Sequence, residues 1–238
     1  MAVRFRVNVV LTCAMAGLVT SCASSNEKAN SSLAVRGAPQ ELQTIGERAG
    51  QIVMAAIDDD WPQVRVCVQD LCNAWQEYKY PTVASSAYPR PPAPLFRGPL
   101  DGWMLRLRFA AGKGQAQETM KAAQEVDAAA LKLFEYYSPT TALDLRRLRM
   151  WEGRVVLNAT QDQMDRASDA LREARSTWGR VHRTIEAQSG PDTATTFENS
   201  LSAQRTAVHK RNPNTLVTGA RQAIDAVNET LRSSHEEK

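Results

Sequence analysis

Residues 164–188 read MDRASDALREARSTWGRVHRTIEAQ. Met164, Ala167, Leu171, Ala174, Trp178, Val181 and Ile185 recur at alternating intervals of three and four. An α-helix turns once every 3.6 residues, so these side chains line up as one apolar stripe, a heptad seam. Most positions between them are polar, and Asp162–Arg166 and Asp169–Arg172 are spaced to pair on the outer face. This is the most regular stretch of the chain, and it sets the expected fold class as all-α. A helix with a sustained apolar stripe is not stable alone and needs a cover.

The sequence on either side suggests what the cover is. Ser189-Gly190-Pro191-Asp192 is a tight reversal, and Phe197, Leu201 and Val208 carry the pattern back. Asn212-Pro213-Asn214 interrupts it, and Leu216 or Val217, Ala220, Ile224, Val227 and Leu231 resume it. The expected architecture is an elongated helical bundle with a long C-terminal helical hairpin. Pro213 breaks the returning arm opposite residues 160–169. The seam is therefore expected to be incompletely covered there and to take a helix from a second copy or another protein. Upstream the register shifts between Gly153 and Thr160, marking a kink or a break. An unbroken helix over 140–188 would be about 73 Å long. Residues 234–238 read as a disordered tail.

The N-terminal half is less regular. Pro39 opens a helix whose face is Leu42, Ile45, Ala49, Ile52 and Ala56, and Asp58-Asp59-Asp60 closes it. Val64, Val66 and Val68 alternate as in a strand, yet Val64, Val68, Leu71, Trp75 and Tyr78 also form a helical face. Trp103, Leu105, Leu107 and Phe109 alternate in the same way. The two stretches either form a minor two-stranded β ribbon or belong to helices. Residues 81–101 contain six of the 11 prolines and read as an extended segment crossing between helices over 39–80 and a bundle over 102–233. Ala116, Met120, Ala123, Ala130, Phe134 and Tyr137 line a further helix, and Ser138-Pro139 starts the next.

The start of the chain carries the functional signal. Arg4 and Arg6 precede a largely apolar run from Val7 to Val19, too short to span a bilayer as an ordinary helix. It ends in Val19-Thr20-Ser21-Cys22: an aliphatic residue, two small residues and a cysteine. This resembles the signal peptide and lipobox of bacterial lipoproteins. The resemblance covers the N-terminal tenth of the chain. It implies removal of residues 1–21 and diacylglyceryl transfer to the Cys22 thiol, with residues 22–38 as a flexible tether. It also implies a place in the cell envelope, anchored to a membrane and not spanning it. Ala23 follows the cysteine where an aspartate would resemble an inner-membrane retention signal. That favours the periplasmic side of the outer membrane in a diderm, and otherwise the outer face of the cell membrane. In such a compartment Cys67 and Cys72 are expected to form a disulfide. On a regular helix they would point about 140° apart, so the pairing requires a break near Gln69-Asp70.

Composition narrows the remaining chemistry. The 238 residues carry 29 basic and 26 acidic side chains, and Arg4 and Arg6 fall in the leader. A near-neutral domain lacks the pull expected of a nucleic-acid binder. Three histidines, His182, His209 and His235, provide no metal-ligand spacing, and no haem or di-iron motif is present. Gly112-Lys113-Gly114 lacks the spacing of a phosphate-binding loop. Asp58-Asp59-Asp60 reads either as a cation site or, more simply, as a helix cap. Arg146, Arg147 and Arg149 read either as a site for anionic headgroups or a partner's carboxylates, or as a solvated face beside Asp144 and Glu152. The expectation is a non-catalytic interaction or scaffold module, with no cofactor and no metal. Its partners would be the membrane through the anchor and an envelope protein or a second copy. The alternative is a helical carrier of a small apolar ligand.

Overall fold

The computed structural model describes residues 38–80, 94–137 and 141–236. Among these the chain forms eight helices and no strand: α1 (Gln40–Ile57), α2 (Trp61–Lys79), α3 (Pro94–Gly112), α4 (Ala116–Tyr137), α5 (Thr141–Thr160), α6 (Met164–Ser189), α7 (Pro191–His209) and α8 (Pro213–Glu236). Residues 1–37, with the expected leader, Cys22 and all but the last residue of the expected tether, lie outside the described residues, and Ala38, expected at the end of a flexible tether, is instead buried in the core.

Helix α5 organises the packing. It touches α4 and α1 on one side and α6 and α8 on the other. One cluster of buried residues joins α1–α4 to Leu143, Met150 and Leu157 of α5. A second joins α6–α8 to Leu145, Leu148, Val155, Val156 and Ala159. Trp151 packs against both.

The seam that predicted the fold is buried along its whole length, including Met164 and Ala167. The expected gap opposite Pro213 does not exist. Val155, Val156 and Ala159 of α5 belong to the same cluster as the seam, as do Ala207 and Leu216 on either side of the α7–α8 turn. Helices α5 and α6 are separate: the chain turns at Gln161–Gln163, with Asp162 at φ +57°. Gly190, at φ +87°, reverses the chain between α6 and α7, and Trp178 stacks on Phe197 with ring centroids 4.4 Å apart.

The β ribbon is absent, because both strand-like stretches are helical. Val64, Cys67, Val68 and Leu71 point inward from α2, and Asp60 caps that helix by accepting a hydrogen bond from the Gln63 amide. The alternation over 103–109 misleads because the buried side of α3 is Leu100, Met104, Leu107, Ala110 and Ala111. Leu105 and Phe109 end up on the opposite side, 69% and 60% exposed. Residues 94–101, expected in the proline-rich crossing, already belong to α3, which carries Pro99 within it. Pro99 gives up one backbone N–H and sits on the exposed part of the helix. The rest of the crossing, 81–93, lies outside the described residues. At the other end α8 continues to Glu236, beyond the start of the expected tail.

The disulfide is not formed either. Cys67 and Cys72 are free thiols on one continuous helix with no break at Gln69-Asp70. Denatured, non-reduced protein is expected to show both thiols reactive and no intramolecular bridge by mass. Leu171, buried in the second cluster, is expected to cost about 2–5 kcal/mol when replaced by alanine, read from chemical denaturation.

Candidate functional site

The polar groups able to do chemistry gather along α5, inside the protein. Arg146 and Arg149 are one turn apart and nearly inaccessible, at 2% and 4% exposure. They lie against Gly46 and Gly50 of α1, which are also one turn apart. A Cβ on Gly50 would sit 3.2 Å from Nε of Arg149, and one on Gly46 would sit 3.4 Å from Nη1 of Arg146. Two glycines thus open a groove on α1 that accepts two guanidinium groups.

Arg149 donates to the Gly46 carbonyl at 2.5 Å and pairs with the buried Asp127 of α4 at 3.5 Å. Arg146 stacks over the Phe134 ring at 4.6 Å and approaches Glu47 at 3.9 Å. Burial, and then the neighbouring Arg149, holds the Arg146 guanidinium down to about 10. Burial also pushes the Asp127 carboxyl up, and the two arginines offset part of that shift. Removing either member of a buried ion pair strands the other, so the group is a structural lock between α1, α4 and α5.

Glu152, one turn further along α5, is fully buried and lies beside Gln204 of α7. Neither of its carboxyl oxygens makes a hydrogen bond. Burial pushes its pKa up to about 8, and the neighbouring amide of Gln204 on α7 offsets only part of the shift. The side chain is therefore a neutral acid at pH 7. Space for Gln204 comes from Gly219 of α8, where a Cβ would sit 2.8 Å from Cγ of Gln204. In the first cluster Gly153 makes the same allowance for Gln124.

The remaining candidates have structural roles. Asp58 pairs with Arg221 at 2.6 Å, Asp59 accepts from the Trp61 indole at 2.5 Å, and Asp60 caps α2. The triplet is spread over three tasks. Arg147 pairs with Glu135 and Asp144, apart from Arg146 and Arg149. The reading of all three arginines as a solvated face holds for Arg147 alone. Burial raises the pKa of both Cys67 and Cys72, away from reactive thiolate. Among the described residues no three His, Cys, Asp or Glu side chains gather as a metal site would require.

Two open clefts flank this core. One, of about 760 Å³, lies between α1 and α8, with Gly50, Met54, Arg149 and Leu231 in its walls. Its acids Glu47, Asp58, Asp60 and Asp225 outnumber Arg149 and Arg221. The other, of about 550 Å³, lies between α4 and α5 and is lined largely by carboxamides and charged groups. The small gap beside Arg149, Gly50 and Gly153 has room for about 10 Å³, no more than a single water.

Sequence reasoning missed the buried polar layer. A signal for it was present in Gly46-x-x-x-Gly50, Gly153 and Gly219, whose missing side chains make room for long polar ones. No family model, no curated protein and no solved structure matches the chain.

Glu152→Gln is expected to raise stability in neutral solution. The folded chain keeps the Glu152 proton up to about pH 8, and an unfolded glutamate loses it near 4.5. Folding is thus favoured at low pH, and the advantage decays as pH rises through that window. The variant and the wild type should match near pH 4.5 and differ by roughly 3 kcal/mol at pH 7, by denaturation at both pH values. Gly219→Ala is expected to lower the melting temperature despite alanine's better helix propensity, because Gln204 stands where the methyl group would go.

Proposed function

We propose that this chain is a lipid-anchored lipoprotein of the cell envelope, acting as a non-catalytic helical interaction module. The observation that carries the reading is the leader of Arg4, Arg6 and an apolar run ending in Val19-Thr20-Ser21-Cys22. Two or more acyl chains on Cys22 hold a protein on a bilayer where one would not, at about 0.8 kcal/mol per buried methylene. No described helix is long and apolar enough to cross a membrane, which fits attachment by lipid.

The non-catalytic part is supported by where the reactive side chains sit. Arg146, Asp127 and Glu152 are buried in the core and line neither open cleft, and Arg149, which borders the α1–α8 cleft, is only 4% exposed and is held by Gly46 and Asp127. The scaffold reading is favoured over the carrier because both clefts are open, the α4–α5 cleft is lined mostly by polar groups, and the enclosed gap beside Arg149 takes about one water. We read the shape as an elongated bundle in which α6 and α7, reversed at Gly190, form the long C-terminal hairpin. The outer membrane, facing the periplasm, is the proposed location in a diderm.

Cys22→Ser tests the anchor. The variant is expected to take up no labelled fatty acid and to keep its leader uncut. Wild type should yield a mature N-terminus at Cys22 carrying the added mass of a diacylglyceryl group. Processing before another residue would sink the reading.

A further inference from the structure

Among the described residues, nothing covers the outward side of α3 around Leu105 and Phe109. At 100° per residue, Leu105, Phe109, Gly98, Gly102 and Gly112 fall on the side opposite the buried Leu100, Met104 and Leu107. Leu105 and Phe109 are one turn apart and more exposed than most large apolar side chains. The three glycines leave the backbone around them bare, so the two side chains project as a ridge.

Cations flank the ridge. Arg108 lies on one border, and Arg106 and Lys113 lie on the other, all exposed. Lys113 sits over the Phe109 ring at 4.1 Å, and Arg106 stacks on Trp103 at 4.7 Å. The one carboxylate of α3, Asp101, is engaged at the other end by Lys79 and the Trp75 indole. This border therefore presents three positive charges around two apolar side chains four residues, or roughly 6 Å, apart.

We propose that this face of α3 docks on an anionic lipid surface, with Leu105 and Phe109 entering the headgroup boundary and Arg106, Arg108 and Lys113 meeting phosphates. An apolar ridge between basic residues is the pattern of a helix lying in a bilayer interface. A second copy is the poorer occupant. A two-fold contact would lay this face on itself and oppose like charges. The proposal extends the anchored reading: Cys22 lies 16 residues before Ala38, within a reach of about 55 Å. The acyl chains would hold the protein at the bilayer, and α3 would then fix which side of it faces the membrane.

The test uses the full chain, purified from its own membranes and reconstituted on vesicles of phosphatidylcholine with or without phosphatidylglycerol. A photoreactive phenylalanine analogue replaces Phe109 in one preparation and the exposed Glu198 of α7 in another. The expected result is lipid adducts at 109 and few at 198, with yield at 109 rising with phosphatidylglycerol and falling in salt. Charge reversal by Arg106→Glu, Arg108→Glu and Lys113→Glu together should cut that yield roughly tenfold or more, with unchanged helicity. These positions are exposed, so the fold should survive the change. Equal lipid adducts at 109 and 198, or adducts at 109 to a second copy, another protein or residues 81–93, would overturn the proposal. The acyl mass on Cys22 is read from the same samples. A chain without acyl groups that still labels anionic lipid from 109 would refute the anchor and leave this inference standing.

Discussion

The guanidinium of Arg149, held in a groove made by Gly46 and Gly50 and bonded to a backbone carbonyl of α1, is the constraint around which the helices are arranged. A buried arginine tolerates little displacement, because desolvation must be offset by partners at fixed distances. Its partners come from α1 and α4, so α5 must lie at one height against both. The same helix then presents Leu145, Leu148 and Val155 to the other side, where α6 and α8 close over them. The polar layer contributes less to net stability than apolar packing of equal volume would. What it adds is a single register for three helices.

Glu152 works in the same layer with the opposite sign. A neutral carboxylic acid beside a carboxamide is tolerable in an apolar interior, and a carboxylate there is not. The glycines facing Gln204 and Gln124 indicate that the interior is shaped for long polar side chains and did not acquire them as defects. The enclosed gap beside Gln124 and Arg149 has room for about one water.

Much of the helical content was legible in the sequence. The seam from Met164 to Ile185 is buried because a period near 3.5 allows no other geometry. The alternation of Trp103, Leu105, Leu107 and Phe109 was not decisive, because a helix with apolar residues on both sides produces the same string. Only the covering by α4 and α2 shows that Leu107 is core and Leu105 surface. Arg146, Arg149 and Glu152 read as a solvated face for a related reason. Periodicity identifies one covered side of a helix, and α5 is covered on nearly all of them. Cys22 stands apart: its proposed lipidation rests on a resemblance in the sequence, and the described residues do not include it.

Because α5 supplies side chains to both clusters, the protein does not divide into independent halves. A fragment ending at α4 would expose the Gly46–Gly50 groove and lose the partners of Asp127. A fragment starting at α6 would bare the seam. Trp151 and Ile57 touch both clusters and tie their fates further. The eight helices should therefore melt as one cooperative unit, without a populated half-folded state. Ordering would wait for the fifth helix to find neighbours from both ends of the chain, so the chain becomes committed late in its synthesis.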